Sequence, residues 1–104
     1  MLIPSSIVGM KFHPGASDKL RETPAGTVVT LEREPDNRFD PNAIRCVVGG
    51  LICGYIPKAQ AVRLAEDMDA GKPVTATLVE ATKLHIEVED APPLDDEVGE
   101  DLSI

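Results

Sequence analysis

The sequence predicts one mainly β domain: six short strands with one clear helix and one short helix, arranged as a small barrel or sandwich. Three observations carry this. Runs of β-branched and aliphatic residues recur through the first 88 residues, punctuated by Gly, Pro, Asp and Asn. One stretch alone, Lys58–Ala70, repeats its apolar residues at helical spacing. A chain of 104 residues holds one hydrophobic core.

In chain order, Ser6–Phe12 is a short apolar run that stops at His13-Pro14-Gly15, which suits a first strand and a turn. Ser17–Glu22 reads as the short helix, with Ser17 as its N-cap and Pro24 to Gly26 ending it. Thr27–Glu34 is β-branched, then alternating. Ala43–Val48 and Leu51–Ile56 flank Gly49-Gly50, a hairpin signal, because primed turns need positive φ. A two-residue loop there sets Cys46 opposite Cys53. In Lys58–Ala70 the stripe is Ala61, Leu64, Ala65 and Met68, with Lys58, Gln60, Arg63, Glu66 and Asp67 largely off it. Pro57 fits the first turn of this helix and Gly71 its stop. Pro73–Glu80 and Lys83–Val88 form a second hairpin, the latter with Leu84, Ile86 and Val88 on one face and His85 and Glu87 on the other.

Composition excludes several function classes. No apolar run approaches a membrane span and the start MLIPSSIVG has no basic segment. Two cysteines are too few for a disulfide scaffold, so a cytoplasmic location is expected, with both buried as small hydrophobes. Their C-x6-C spacing lacks a zinc knuckle, and His13 and His85 are far from them in sequence. The acidic stretch Glu34–Ile44, EPDNRFDPNAI, fails as a calcium loop: counted from Asp36, its third position is Arg38 and its sixth Pro41. It reads instead as a turn scaffold built on Asn37, Asn42 and the prolines. No phosphate loop, dinucleotide fingerprint or nucleophile motif is present, so neither an enzyme nor a cofactor is expected.

The residues do resemble a known family. Ile7-Val-Gly-Met-Lys-Phe12 is like its opening strand. Val29 to Ile44, containing L-E-R-E-P-D-N-R-F-D-P-N-A-I, is like its most specific signature, and Gly54-Tyr-Ile-Pro-Lys58 leads into its helix. The chain thus resembles the HIRAN domains, found at the N-terminus of SWI/SNF-type DNA-repair ATPases and alone in small bacterial proteins. The resemblance implies a six-stranded OB-like barrel that binds single-stranded DNA and captures its 3′-OH end. The family's basic-aromatic pair falls on Lys11 and Phe12, its aromatic-Asp pair on Phe39 and Asp40, its pocket residue on Tyr55 and its helix-start Lys on Lys58. Arg38 is a further candidate phosphate contact. Aromatic faces stack on bases, lysines hold phosphates, and a carboxylate accepts a hydrogen bond from a terminal hydroxyl while repelling a continuing phosphate. The chain's three aromatics, Phe12, Phe39 and Tyr55, all fall on matched positions. The competing expectation for them is a plain aromatic cluster in one corner of the barrel. The chain departs from the family in having Phe12 and Phe39 where Tyr is usual and Lys11 where Arg is common, which removes two hydroxyls and a bidentate fork. These departures motivate a second reading: a protein-interaction or regulatory module without DNA binding, whose partners would be repair or restriction proteins.

The charge of the chain is unevenly placed. Its formal net charge is −8, which by itself argues against a nucleic-acid partner. Residues 1–88, the predicted barrel, hold ten Lys/Arg and eleven Asp/Glu, whereas residues 89–104 hold seven acids and no base. The excess belongs to an acidic tail, for which disorder is expected. Leu94, Val98 and Leu102 at four-residue spacing suggest the alternative of a weak amphipathic helix whose acids occupy the DNA site in cis. In that case deletion of residues 89–104 tightens DNA binding at low salt in a fluorescence-anisotropy titration. Unchanged affinity leaves the tail a solubilising segment.

Overall fold

The computed structural model describes residues 2–89, so the acidic tail and its apolar spacing lie outside the described residues apart from Glu89. The elements in order are β1 (Leu2–Ser6), a 3-10 turn (Met10–Phe12), α1 (Ala16–Glu22), β2 (Val28–Arg33), β3 (Ile44–Val48), β4 (Leu51–Tyr55), α2 (Lys58–Asp69), β5 (Val74–Glu80) and β6 (Lys83–Val88). The six strands pair antiparallel in the order β1-β6-β5-β2-β3-β4. The predicted fold class is therefore present, in a barrel-like sheet that is not closed along its length. One bridge ties its two ends together. Just after β1, Val8 exchanges backbone hydrogen bonds of 2.8 and 2.9 Å with Tyr55 at the end of β4.

The first strand lies earlier than the sequence predicts. It is Leu2–Ser6, because Gly9 at φ +78° turns the chain out of extension and Met10–Phe12 coil into the 3-10 turn. Pro4 is tolerated in β1 because this is an edge strand, paired with β6 alone. The short helix begins at Ala16, and Gly15 at φ +85° holds the N-cap position expected of Ser17, with no side-chain cap. Buried Ala16 and Leu20 seat this helix on the core.

In the β3–β4 hairpin, Val48 pairs with Leu51 and Val47 with Ile52 as the two-residue loop predicts, and then the register shifts. Cys46 lies opposite Gly54 and Arg45 opposite Tyr55, so the expected Cys46–Cys53 pairing does not form. Both cysteines are free and buried. Burial, with a smaller contribution from Cys53, pushes the Cys46 thiol up to about 12, which leaves it an inert small hydrophobe.

Helix α2 behaves as its stripe predicts: Ala61, Leu64 and Ala65 are buried and Met68 packs against the core. Its end is a Schellman turn, with the N–H of Gly71 bonded to Met68 and that of Lys72 to Asp67. Asp67, expected off the stripe, is buried, and Lys72 at 3.4 Å and Arg63 at 3.9 Å offset its charge. β6 alternates as predicted, with Leu84, Ile86 and Val88 in the core and His85 and Glu87 outside. The largest fully buried side chains are aliphatic or Cys, led by Ile44, Leu64, Leu78, Leu84 and Ile86.

At the sheet's tie point, a Cβ added to Gly54 would lie 2.4 Å from the Val8 carbonyl oxygen and 2.7 Å from Ile7 Cγ2, at φ +153°. Gly54→Ala should therefore cost about 2–4 kcal/mol, from clash plus backbone strain. Gly50, at φ +84° with nothing within 4 Å of its added Cβ, is a control for strain alone. Its Ala variant should lose only about 1 kcal/mol. Urea denaturation of the two variants measures the difference; equal losses would mean that the crossing tolerates a side chain.

Candidate functional site

Three chain segments converge on a cleft of about 680 Å³. The turn after Gly9 contributes Phe12 and His13, the β2–β3 loop contributes Phe39 and Asp40, and the β4–α2 junction contributes Tyr55 and Lys58. The Val8–Tyr55 bridge brings the first and third segments together.

The β2–β3 loop is shaped by its own side chains. Asn37 Oδ1 accepts the N–H groups of Phe39 at 2.9 Å and Asp40 at 3.0 Å, and Asp40 Oδ1 accepts that of Asn42 at 2.9 Å. These are Asx-type turns, the scaffold that the Asp/Asn/Pro composition predicts. The Glu34 N–H closes the loop base on the Ala43 carbonyl at 2.9 Å. The result presents Phe39 at 87% exposure in the cleft that Phe12, at 73%, also lines.

Two such exposed rings in a chain with three aromatics and an aromatic-free core are costly unless a ligand covers them. All three aromatics line this cleft, so they share one corner of the fold, as the competing expectation also has it. The ring contact among the described residues is His13 with Tyr55, at 5.7 Å between centroids and 45° between planes.

Phe12, Phe39, Asp40, Tyr55 and Lys58 thus share one cleft, as their sequence positions predict. Lys11 is exposed outside the lining, with Nζ 5.2 Å from the Phe12 ring centroid, a cation–π distance that keeps its charge at the rim. Arg38 is exposed and does not line the cleft. Sequence reasoning missed His13, because His-Pro-Gly reads as turn punctuation. It also missed Glu34, whose value lies in a contact 21 residues away. Among the described residues no group of three or more His, Cys, Asp or Glu is gathered to hold a metal ion, and no helix is long and apolar enough to cross a membrane.

Tyr55 also joins a charged network, whose Glu34, Asn37 and Arg45 line a smaller cleft of about 330 Å³. The Tyr55 hydroxyl donates to Glu34 Oε1 at 2.9 Å, Asn37 Nδ2 donates to the same oxygen at 2.9 Å, and Arg45 donates to Oε2 at 3.1 Å. Burial alone would raise the Glu34 carboxyl, but the bonds from Asn37 and Tyr55 and the Arg45 charge outweigh it and hold the group below its ordinary value. Burial first, then the bond to Glu34 and its negative charge, push the Tyr55 phenol upward.

Comparison with known proteins identifies a family. A family model described as HIRAN domain matches residues 2–95. A Fanconi-associated nuclease 1 homolog from Oryza sativa subsp. japonica is 34% identical over 73 residues, which are 66% of this chain and 7% of that protein. The chain therefore spans a small fraction of that relative's length. The crystal structure of the HIRAN domain of human HLTF is similar at TM-score 0.71 and 25% identity, over 84% of this chain and 74% of that one. A protein from Lactobacillus plantarum shares the fold at TM-score 0.73 and 23% identity, over 83% and 93% of the two chains. So does the HLTF HIRAN domain solved by NMR in its DNA-bound conformation, at TM-score 0.60 and 23% identity, over 84% and 73%.

Tyr55 is the single tyrosine and there is no tryptophan, so tyrosinate absorbance reads the cleft directly. Its midpoint should lie above the ordinary phenol value of about 10. Between that value and the midpoint the folded chain keeps a proton that the unfolded chain has lost, so stability falls as pH rises there. Glu34→Gln should move the midpoint back toward the ordinary value; an unmoved midpoint would mean that the Tyr55–Glu34 bond does not form in solution.

Proposed function

The chain belongs to the HIRAN domain family, and from that premise we propose that its cleft binds single-stranded DNA at a free 3′-OH end, as a non-catalytic module in DNA repair or replication-fork processing. The observation that carries this is the pair of exposed rings, Phe12 and Phe39, in one cleft with a carboxylate and a lysine. A base has two faces and no charge, and exposed aromatic walls match it. Asp40 supplies an acceptor for a terminal hydroxyl. Lys58 within the cleft and Lys11 at its rim supply the phosphate contacts. The HLTF HIRAN domain adopts the same fold in its DNA-bound conformation, which supports a DNA ligand for this one.

Phe in place of Tyr keeps the stacking face, so the missing hydroxyls cost hydrogen bonds while leaving the principal contact intact. The described part of the chain is close to neutral, so binding rests on local contacts with little help from a long-range field.

Oligonucleotides ending in 3′-OH should bind more tightly than the same strands ending in 3′-phosphate at low salt. Asp40→Ala should abolish that preference, and Phe39→Ala should weaken binding to either end by about 5- to 150-fold, the equivalent of one lost stack. Two or three phosphate contacts predict a log–log salt slope of about −2. Equal affinity for both ends refutes end capture, and no affinity at low salt refutes DNA binding.

A further inference from the structure

Glu34 does not line the cleft, yet it decides what Tyr55, which does, can offer a ligand. It is an ionised carboxylate held by three donors: Tyr55 and Asn37 on Oε1, Arg45 on Oε2. The Arg45 guanidinium is itself fixed on its other side by Glu32 at 2.6 Å, and the Glu34 backbone is fixed to Ala43. A carboxylate only accepts hydrogen bonds. The hydroxyl proton of Tyr55 is therefore committed to Glu34, and the Tyr55 oxygen has only lone pairs left to offer a ligand. The other side-chain oxygen groups lining the cleft are likewise acceptors: Asp40, with Oδ1 already taken by the Asn42 N–H, and Asn37, whose Oδ1 is taken by the N–H groups of Phe39 and Asp40. The usual tyrosine hydroxyls are absent at Phe12 and Phe39, so the aromatic walls bring no O–H donor to change this balance.

We propose that Glu34 is a positioning residue that, through Tyr55, makes the oxygen groups of the cleft acceptor-only, so that the end group of the captured strand must be a hydrogen-bond donor. This rests on the end-capture reading and sharpens its ligand class. A terminal hydroxyl or amine satisfies the acceptors of Tyr55 and Asp40. A terminal hydrogen leaves them unsatisfied. A terminal phosphate, anionic and without a donor at neutral pH, meets them with repulsion. Wild-type affinity should therefore fall in the order 3′-amino or 3′-hydroxyl, then 3′-deoxy, then 3′-phosphate.

With its oxygen kept toward Arg45, the amide of Glu34→Gln turns its NH2 toward the Tyr55 oxygen and gives up the bond from Asn37 Nδ2, which shares that position. The phenol proton is then released into the cleft, where it can donate to a phosphate. The ratio of dissociation constants, 3′-phosphate over 3′-OH, should fall about five- to tenfold in Glu34→Gln. Tyr55→Phe should also lower it. In the Tyr55→Phe background, Glu34→Gln should change the ratio no further, because the group through which Glu34 acts is gone. Glu34 also holds Asn37, which shapes the Phe39–Asp40 loop, and a role through that loop would lower the ratio equally in both backgrounds. An equal drop, or an unchanged ratio in Glu34→Gln, overturns the proposal. Should Glu34→Gln fail to fold, Tyr55→Phe carries the test alone, and an unchanged ratio in it is the contrary result. A wild-type ratio of one is a distinct outcome: it refutes end capture itself, and this inference with it.

Discussion

The structure depends on a place where two backbones touch and no side chain fits. At Gly54 the chain of β4 passes so close to Val8 that an added Cβ would sit 2.4 Å from the Val8 carbonyl oxygen. The missing Cβ lets Val8 and Tyr55 exchange both backbone hydrogen bonds, and this bridge ties the first segment of the chain to the last strand of the sheet. Consequences spread in both directions. The register shift next to Gly54 moves Cys46 out of line with Cys53. Downstream of Val8, the Gly9 turn delivers Phe12 and His13 to the same cleft as Tyr55 and Lys58. The cleft is a by-product of closing the sheet at one point, so its walls are held by the fold itself.

The division of labour among side chains follows from that closure. The core is filled with aliphatic residues and two buried cysteines, each fully buried Val, Leu or Ile contributing about 1.5–3 kcal/mol relative to exposure. No aromatic is spent there. The three aromatics stand at the cleft, two of them as exposed walls and the third with its hydroxyl anchored on Glu34. A second groove of about 580 Å³, between β1, β6 and the start of α2, has comparable room, but the one aromatic ring among its described lining residues is the imidazole of His85. It presents no exposed large ring for a base, so the aromatic cleft is the better candidate.

How much of this was legible in the sequence differs by element. The β5–β6 hairpin and α2 declare themselves because their periodicity is carried by side chains with one buried face: Leu84, Ile86 and Val88 in the strand, Ala61, Leu64 and Ala65 in the helix. The first strand was misplaced because Ile7 and Val8 are apolar for another reason. Ile7 is a core residue and Val8 a bridge partner at the end of a strand whose own residues, Leu2 to Ser6, include an edge proline. The Cys46–Cys53 register differs from expectation because a bulge leaves no mark in composition beyond the glycine itself. At the site, the motif positions Phe12, Phe39, Asp40, Tyr55 and Lys58 did converge, since the turn and loop chemistry around them is local. Arg38 did not, because alternate residues of an exposed loop diverge. Glu34 could not be found from the sequence, because its role is a bond to a residue on another strand.

The central claim is that the cleft made by this crossing is where DNA sits. The most direct measurement is a two-dimensional amide NMR titration with a short single-stranded oligonucleotide bearing a 3′-OH. The account predicts that the largest shift changes fall on Gly9 to His13, Phe39, Asp40, Tyr55 and Lys58, the residues around the cleft. Changes centred on Ser5, Ser6, Gln60, Lys83 and His85, which line the second groove, with the cleft amides unmoved, would contradict it.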